Sequence, residues 1–213
     1  MKENEIVFCL LRTDLEALFG TPLPQGRYMG PELERVFSLP QHFLRRGDAE
    51  YDPVYKQLIP YQLFIRQDHF FVYQRGDGVG EGRLASRLSV GIGGHISIED
   101  TENGLMTLAA YLAALLRERQ EELCGTNGLP INFIGWINDD SDSVGQVHLG
   151  AVHCCEIQAA DDLRIRKQGE DIHALGWWSA AEIDRQKEKF EKWSLMAVGL
   201  ASQASFSVGI GPP

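Results

Sequence analysis

The sequence predicts an α/β protein built on one core, and three observations carry that reading. Runs rich in aromatic and β-branched residues alternate with helical segments along the chain. One long amphipathic helix occupies the middle, over about residues 105–123. The 213 residues, 44% apolar and 23% charged, suffice for one well-buried core with an appended segment.

Residues 1–55 read as an N-terminal extension packed on the core, and residues 56–213 as the main domain. In the extension, residues 6–11 form a short strand. Thr13 caps a helix over residues 14–19 that Gly20 stops. Pro31, at a first helical position, opens a second short helix ending before Pro40. Covering a cleft or a subunit contact are the alternatives to simple packing.

Residues 62–66 and 69–74 read as two strands joined by Gln67 and Asp68, with Phe70, Phe71, Val72 and Tyr73 supplying sheet-forming bulk. Residues 75–82 hold four glycines and two acids and read as a loop that does not match a P-loop. A strand-like run over residues 88–92 then leads into Gly93-Gly94-His95-Ile96. The mid-chain helix carries a stripe of Leu105, Leu108, Leu112, Leu115, Leu116 and Leu123, expected to face the sheet. Arg119 falls inside that stripe and is expected to snorkel or to meet a buried acid.

Residues 131–137 and 147–157 read as strands. The acidic segment between them lacks a Ca²⁺-loop pattern and is expected to be a solvated turn. A strand histidine such as His148 reads as a packed, hydrogen-bonded residue. Glu156, on the same strand face, is an auxiliary ligand or base candidate. Ser179 and Glu182 have capping-box spacing and open a helix. A last helix runs through Trp193 and Leu200 to a frayed Gly-Ile-Gly-Pro-Pro end.

Lys plus Arg is 20 and Asp plus Glu is 30, a net charge of −10. That balance argues against bulk nucleic acid or a membrane surface as partner, though not against a small phosphorylated ligand held by local arginines. Cys9, Cys124, Cys154 and Cys155 show no C-x-x-C or Cys/His spacing, so no zinc site is expected and buried thiols in a reducing cytosol are. No signal-like start is present and the longest apolar run is too short to span a bilayer, so a cytoplasmic protein is expected.

The chemistry concentrates in Arg117-Glu118-Arg119-Gln120-Glu121-Glu122-Leu123-Cys124-Gly125. Glu118, Glu121 and Glu122, at i, i+3 and i+4, share one helix face. Like charges there repel, near a helix C-terminus that already disfavours them. A hard divalent cation resolves the conflict, since carboxylate oxygens are its ligands. The competing reading is a solvated surface with Arg117–Glu121 and Arg119–Glu122 pairs.

With Gly94 and Asp100 ahead of it, this stretch resembles the signature of the Nudix hydrolase family. That signature is a glycine, five residues, a glutamate, seven residues, then Arg-Glu-hydrophobic-x-Glu-Glu-x-Gly-hydrophobic. Gly94 matches the glycine, Asp100 stands for the first glutamate, and Arg117-Glu118 and Glu121-Glu122 match the second half. Sixteen residues separate Asp100 from Arg117, nine more than the family has; Arg119 occupies an apolar position, and Cys124 replaces the glycine. The insertion implies an extra loop or turn over residues 101–107 and a helix not held by an Asp100–Arg117 pair. Over roughly residues 43–195 the chain is similar to a subgroup described as predicted phosphoesterases.

The resemblance implies a Nudix-type α/β/α sandwich with a mixed β-sheet. It implies metal-dependent cleavage of the diphosphate linkage in a nucleoside diphosphate derivative. Mg²⁺, or Mn²⁺ in its place, would sit on Glu118, Glu121, Glu122 and the Gly94 carbonyl. Glu118 and Glu122 are the catalytic candidates, with Glu118 preferred as base. Arg83 and Arg75 are expected to contact substrate phosphate, and a homodimer is the expected assembly. The rivals on the same fold are a non-catalytic nucleotide-sensing or protein-binding module and a prenyl diphosphate isomerase, whose extra catalytic residues nothing here marks.

Overall fold

A computed structural model of the chain describes residues 2–75, 87–158, 163–166 and 172–204. Arg83, the Arg75 side chain, the glycine-rich loop and the C-terminal end lie outside the described residues. The elements are β1 (Ile6–Leu11), α1 (Arg12–Phe19), β2 (Gly26–Tyr28), α2 (Leu33–Val36), β3 (Gln41–Arg45) and α3 (Arg46–Ala49). Then come β4 (Tyr55–Arg66), β5 (His69–Arg75), β6 (Leu88–Ser89), β7 (Gly91–Gly93), α4 (Leu108–Glu122), β8 (Leu123–Cys124) and β9 (Asn132–Asn138). The chain closes with β10 (His148–Glu156), β11 (Arg164–Ile165), β12 (Ile172–Ser179), α5 (Ala180–Arg185) and α6 (Lys192–Gln203). No helix among the described residues is long and apolar enough to cross a membrane.

The sheet runs β12-β5-β4-β10-β9-β2. Its central pair, β4 and β10, is parallel, with His148 opposite Gln57 and Val152 opposite Tyr61, while the neighbouring pairs are antiparallel. β4 and β5 are joined by Gln67 and Asp68 at φ 47° and 62°, the twist a two-residue hairpin needs. Alternation along each strand sorts the core into two layers. Leu58, Leu149 and Ala151 pack with Ala110, Tyr111, Ala114 and Leu115 of α4. Leu63, Val152 and Cys154 pack with Ala197, Val198, Leu200 and Ala201 of α6. The architecture is a mixed sheet between helices, as the resemblance implied.

The extension enters this sheet directly: β1 pairs with β4 through Cys9 and Gln57, and with β3 on its other side. Two of its helix starts differ from expectation. α1 begins at Arg12 without a side-chain cap, so Thr13 does not cap it, although Gly20 at φ 120° ends it. α2 begins two residues beyond Pro31. The acidic segment after β9 is also not a solvated turn. Asp140 accepts hydrogen bonds from Arg12 Nη1 (2.9 Å), Gln25 Nε2 (2.8 Å) and Lys56 Nζ (2.7 Å). Lys56 is fully buried and donates also to the carbonyls of Gly145 (2.8 Å) and His148 (3.0 Å). Burial pulls its ammonium down to about 8 against the opposing pull of Asp140. The network fixes the start of β10, and so the place of His148.

α4 starts three residues later than its leucine pattern suggested, and Leu105 is 59% exposed. Thr107 is the N-cap, accepting from the Ala110 amide at 3.1 Å. The buried face is Ala110, Tyr111, Ala114, Leu115 and Arg119, with Leu108, Leu112 and Leu116 packed at its margin. Two alanines let the helix approach the sheet closely, which a leucine count does not register. The surplus residues ahead of α4 form the expected extra turn. Glu102 and Leu105 exchange backbone hydrogen bonds of 3.0 Å around Asn103 and Gly104, at φ 53° and 78°. Gln41 then clamps both backbone groups of buried Met106 at 2.8 Å.

Candidate active site and metal-ligating groups

Arg117, near the C-terminal end of α4, organises the acids around it. Its Nε and Nη2 donate to Asp100 Oδ1 and Oδ2 at 2.9 and 2.8 Å. Its Nη1 donates to Glu118 Oε1 at 2.7 Å and to Glu121 Oε1 at 3.0 Å, and Nη2 also reaches the His95 carbonyl at 3.3 Å. The Asp100–Arg117 pair, which the insertion was expected to remove as what holds the helix, is therefore present. The surplus residues leave and rejoin the chain as a turn of their own, so Asp100 and the helix end keep their relation. Asp100 is itself fixed, because Oδ2 accepts from the Ser97 amide at 2.8 Å in the capping box of the 3-10 turn Ile98–Asp100.

Glu118 lies against Gly94. A Cβ at Gly94 would run into the Glu118 carboxylate, which would have to swing away from the strand exit to admit it. The Glu118 side chain is 15% exposed and Glu121 is 58% exposed. Burial pushes the Glu118 carboxyl up, against the lowering effect of the Arg117 charge and hydrogen bond, while Glu121 and Glu5 push it further up. Three carboxylates thus share one guanidinium, an excess of negative charge at the end of α4. Glu122 ends the helix half-buried, its backbone carbonyl accepting from the Arg166 amide at 2.8 Å.

Gly94 lies against Glu118, Glu121 shares Arg117 Nη1 with Glu118, and Glu122 follows on the same helix end; among the described residues the three glutamates do not bring their ligand atoms within 4.8 Å of one another. Glu156 is exposed at the far end of β10 from His148 and takes no part. Arg119 does not snorkel: it is 2% exposed, and its Nη1 donates to Cys155 Sγ at 3.5 Å. The four cysteines are free, and Cys9, Cys154 and Cys155 are buried. Cys124 runs extended in β8 opposite Arg164, and the turn takes its positive φ, 76°, one residue later at Gly125. The displaced glycine of the signature follows from that one-residue offset.

Sequence reading missed what the extension contributes. Arg46 donates to Glu5 Oε2 and to Glu50 Oε1, both at 3.3 Å. Glu50 Oε1 lies 3.6 Å from His95 Nε2, which lies 3.2 Å from His148 Nε2. These side chains come from distant parts of the chain, so no local spacing announces them.

The comparisons agree with this geometry. The chain is 36% identical over 165 residues to protein YmaB of Bacillus subtilis (strain 168), covering 74% of this chain and 76% of that protein. It superimposes on the crystal structure of Tm1382, a candidate Nudix hydrolase, with a TM-score of 0.75 at 23% identity, over 93% of this chain and 99% of that one. The chain belongs to one family with YmaB, and its likeness to the Nudix hydrolase structure is one of fold. DR0079 of Deinococcus radiodurans shares the fold at a TM-score of 0.53 and 14% identity, over 84% of this chain and 98% of that one. No protein-family model matches the chain. Against the Nudix signature the departures are local: Asp100 takes the place of the signature glutamate and pairs with Arg117, and Arg119 fills an apolar position by being buried.

Proposed function

We propose that the protein is a metal-dependent hydrolase that cleaves the phosphoanhydride linkage of a nucleoside diphosphate derivative. The observation that carries this is the Glu118 carboxylate seated in the space left by Gly94, with Glu121 beside it and Arg117 holding both. The donor set fits a hard cation: it is made of carboxylate oxygens in negative excess, and the desolvated Glu118 carboxyl is stabilised in its charged form by a positive ion. Glu118, Glu121, Glu122 and the Gly94 carbonyl would hold Mg²⁺ or Mn²⁺. A bound divalent ion neutralises the diphosphate and lowers the pKa of a water it binds.

The chain's own part is positional and protolytic. Arg117 locks the end of α4 to Asp100 and to the His95 carbonyl, so Glu118 and Gly94 stay in register. Glu118, with its carboxyl raised by burial, would take a proton from an attacking water; Glu122 is the second candidate for that role. Arg75 and Arg83 would meet the outer phosphate oxygens. The rival, a Nudix-fold binding module, shares the fold but has no use for a cation beyond ligand affinity.

The test is release of phosphorylated product from a panel of nucleoside diphosphate derivatives with Mg²⁺ or Mn²⁺ and after chelation. At least one substrate is expected to turn over, with activity lost on chelation and restored by the ion. Tight, metal-independent nucleotide binding without turnover of any member would favour the binding module.

A further inference from the structure

We infer that Glu50, His95 and His148 form a second cation site, selective for a borderline transition ion such as Zn²⁺ over Mg²⁺. One ligand atom from each lies within 4.8 Å of the other two. In a tetrahedral Zn²⁺ site with bonds near 2.0–2.1 Å, neighbouring donors stand about 3.3 Å apart. The His95 Nε2–His148 Nε2 distance is 3.2 Å and His95 Nε2–Glu50 Oε1 is 3.6 Å, so two of the three edges already have nearly that length.

The tautomer of His148 suits an ion as well, while His95 Nε2, which donates to His148 Nε2 without one, gives up that proton when an ion binds. His148 Nδ1 lies 2.8 Å from the Val144 carbonyl, which can only accept, so Nδ1 carries the proton and Nε2 presents its lone pair. A backbone carbonyl behind a ligand imidazole is the usual outer support of a metal-bound histidine. Arg46 Nε, 3.3 Å from Glu50 Oε1, supports the carboxylate in the same way. The rigid frame extends further, since Lys56 holds the His148 carbonyl and Arg117 the His95 carbonyl. His148 is 4% exposed, whereas the His95 and Glu50 side chains are 14% and 25% exposed. Three protein ligands with solvent on one side are the arrangement of a site that keeps a coordination position for water or substrate.

Nitrogen donors separate this site from the carboxylates on α4. Imidazole prefers Zn²⁺ and its neighbours in the transition series, whereas Mg²⁺ takes oxygen and keeps its waters. His95 directly follows Gly94, so the two sites flank one turn of the chain. The expectation of no zinc site followed from sequence spacing alone; here the three ligands come from the end of α3, the turn after β7 and the start of β10. The inference does not depend on the proposed hydrolysis.

The test is a calorimetric titration of the chelator-treated full chain with Zn²⁺ in excess Mg²⁺, which occupies the oxygen-ligated site. One Zn²⁺ per chain is expected, with micromolar or tighter affinity. Glu50→Gln and His95→Asn should each weaken it by about tenfold or more. Both positions are partly exposed, and thermal unfolding confirms that the variants fold. Glu121→Gln should leave the affinity unchanged. No saturable uptake, uptake indifferent to Glu50→Gln and His95→Asn, or uptake lost in Glu121→Gln would each overturn the assignment.

Discussion

Glu118→Gln should reduce turnover by a factor on the order of 10² or more while the protein stays folded. The amide keeps the size of the side chain and one acceptor for Arg117 Nη1 in the space beside Gly94. It removes a charge from the proposed ligand set and cannot take up a proton as a base. The stability of the metal-free protein should move the other way. The folded-state pKa of Glu118 is raised, so the stability this group contributes is complete below the ordinary glutamate range and is lost as pH rises through the raised value. At neutral pH the ionised, buried carboxylate is therefore a cost that glutamine does not carry. The variant should melt above the wild type at pH 7, with the difference fading toward pH 4. Equal turnover of variant and wild type would remove Glu118 from the mechanism. A variant that melts lower at neutral pH would mean that its bond to Arg117 outweighs its desolvation.

Arg117→Met is expected to damage both stability and activity. The guanidinium is the shared partner of Asp100, Glu118 and Glu121, and the Asp100 and Glu118 side chains are only 10% and 15% exposed. Methionine fills much of the volume but leaves those acids without their counter-charge. Lost charged hydrogen bonds cost about 1.5–3 kcal/mol, tempered here because Arg117 is itself 37% exposed. For a chain of this size that corresponds to a fall of roughly 3–10 °C in Tm. Turnover should fall by about tenfold or more, because the Gly94-His95 turn loses its tie to α4. Divalent ion should stabilise the variant more than the wild type, since a bound cation restores the missing positive charge. Melting curves with and without Mg²⁺ check this; a variant unchanged in both Tm and turnover would make the Arg117 contacts incidental.

The parts of this fold that follow local rules were legible in the sequence. The Gln67-Asp68 hairpin and the Ser179 capping box depend on neighbours in the chain, and each formed as expected, whereas the run over residues 88–92 breaks at Val90 into β6, paired with β5, and β7, paired with β4. The length of β4 was not legible. Pro60 lacks a backbone donor and argues against a central strand, yet it sits there opposite Ala151. The start of α4 was misjudged because leucines were counted, whereas the buried face is built on Tyr111, Ala110 and Ala114.

At the site, the spacing of Glu118, Glu121 and Glu122 gave the shared helix face, and the match to the signature gave Gly94. The Asp100–Arg117 pair was discounted because distance along the chain was taken as distance in space, and the self-contained turn at Asn103-Gly104 shows why that fails. His148 is packed and hydrogen-bonded as its strand position suggested, but its meeting with Glu50 and His95, and theirs with Glu5 through Arg46, was not legible, for a different reason. Each comes from a separate element, and only the pairing of β1 with β4 and of β4 with β10 brings their neighbourhoods together.

The most direct measurement is a crystal structure of the protein soaked in Mn²⁺, with the ion located by its anomalous scattering. The account predicts an ion coordinated by Glu118 and at least one of Glu121 and Glu122, at roughly 2.0–2.3 Å from their oxygens, close to the Gly94 carbonyl. Absence of an ion from the end of α4, or its presence only at Glu50, His95 and His148, would contradict it.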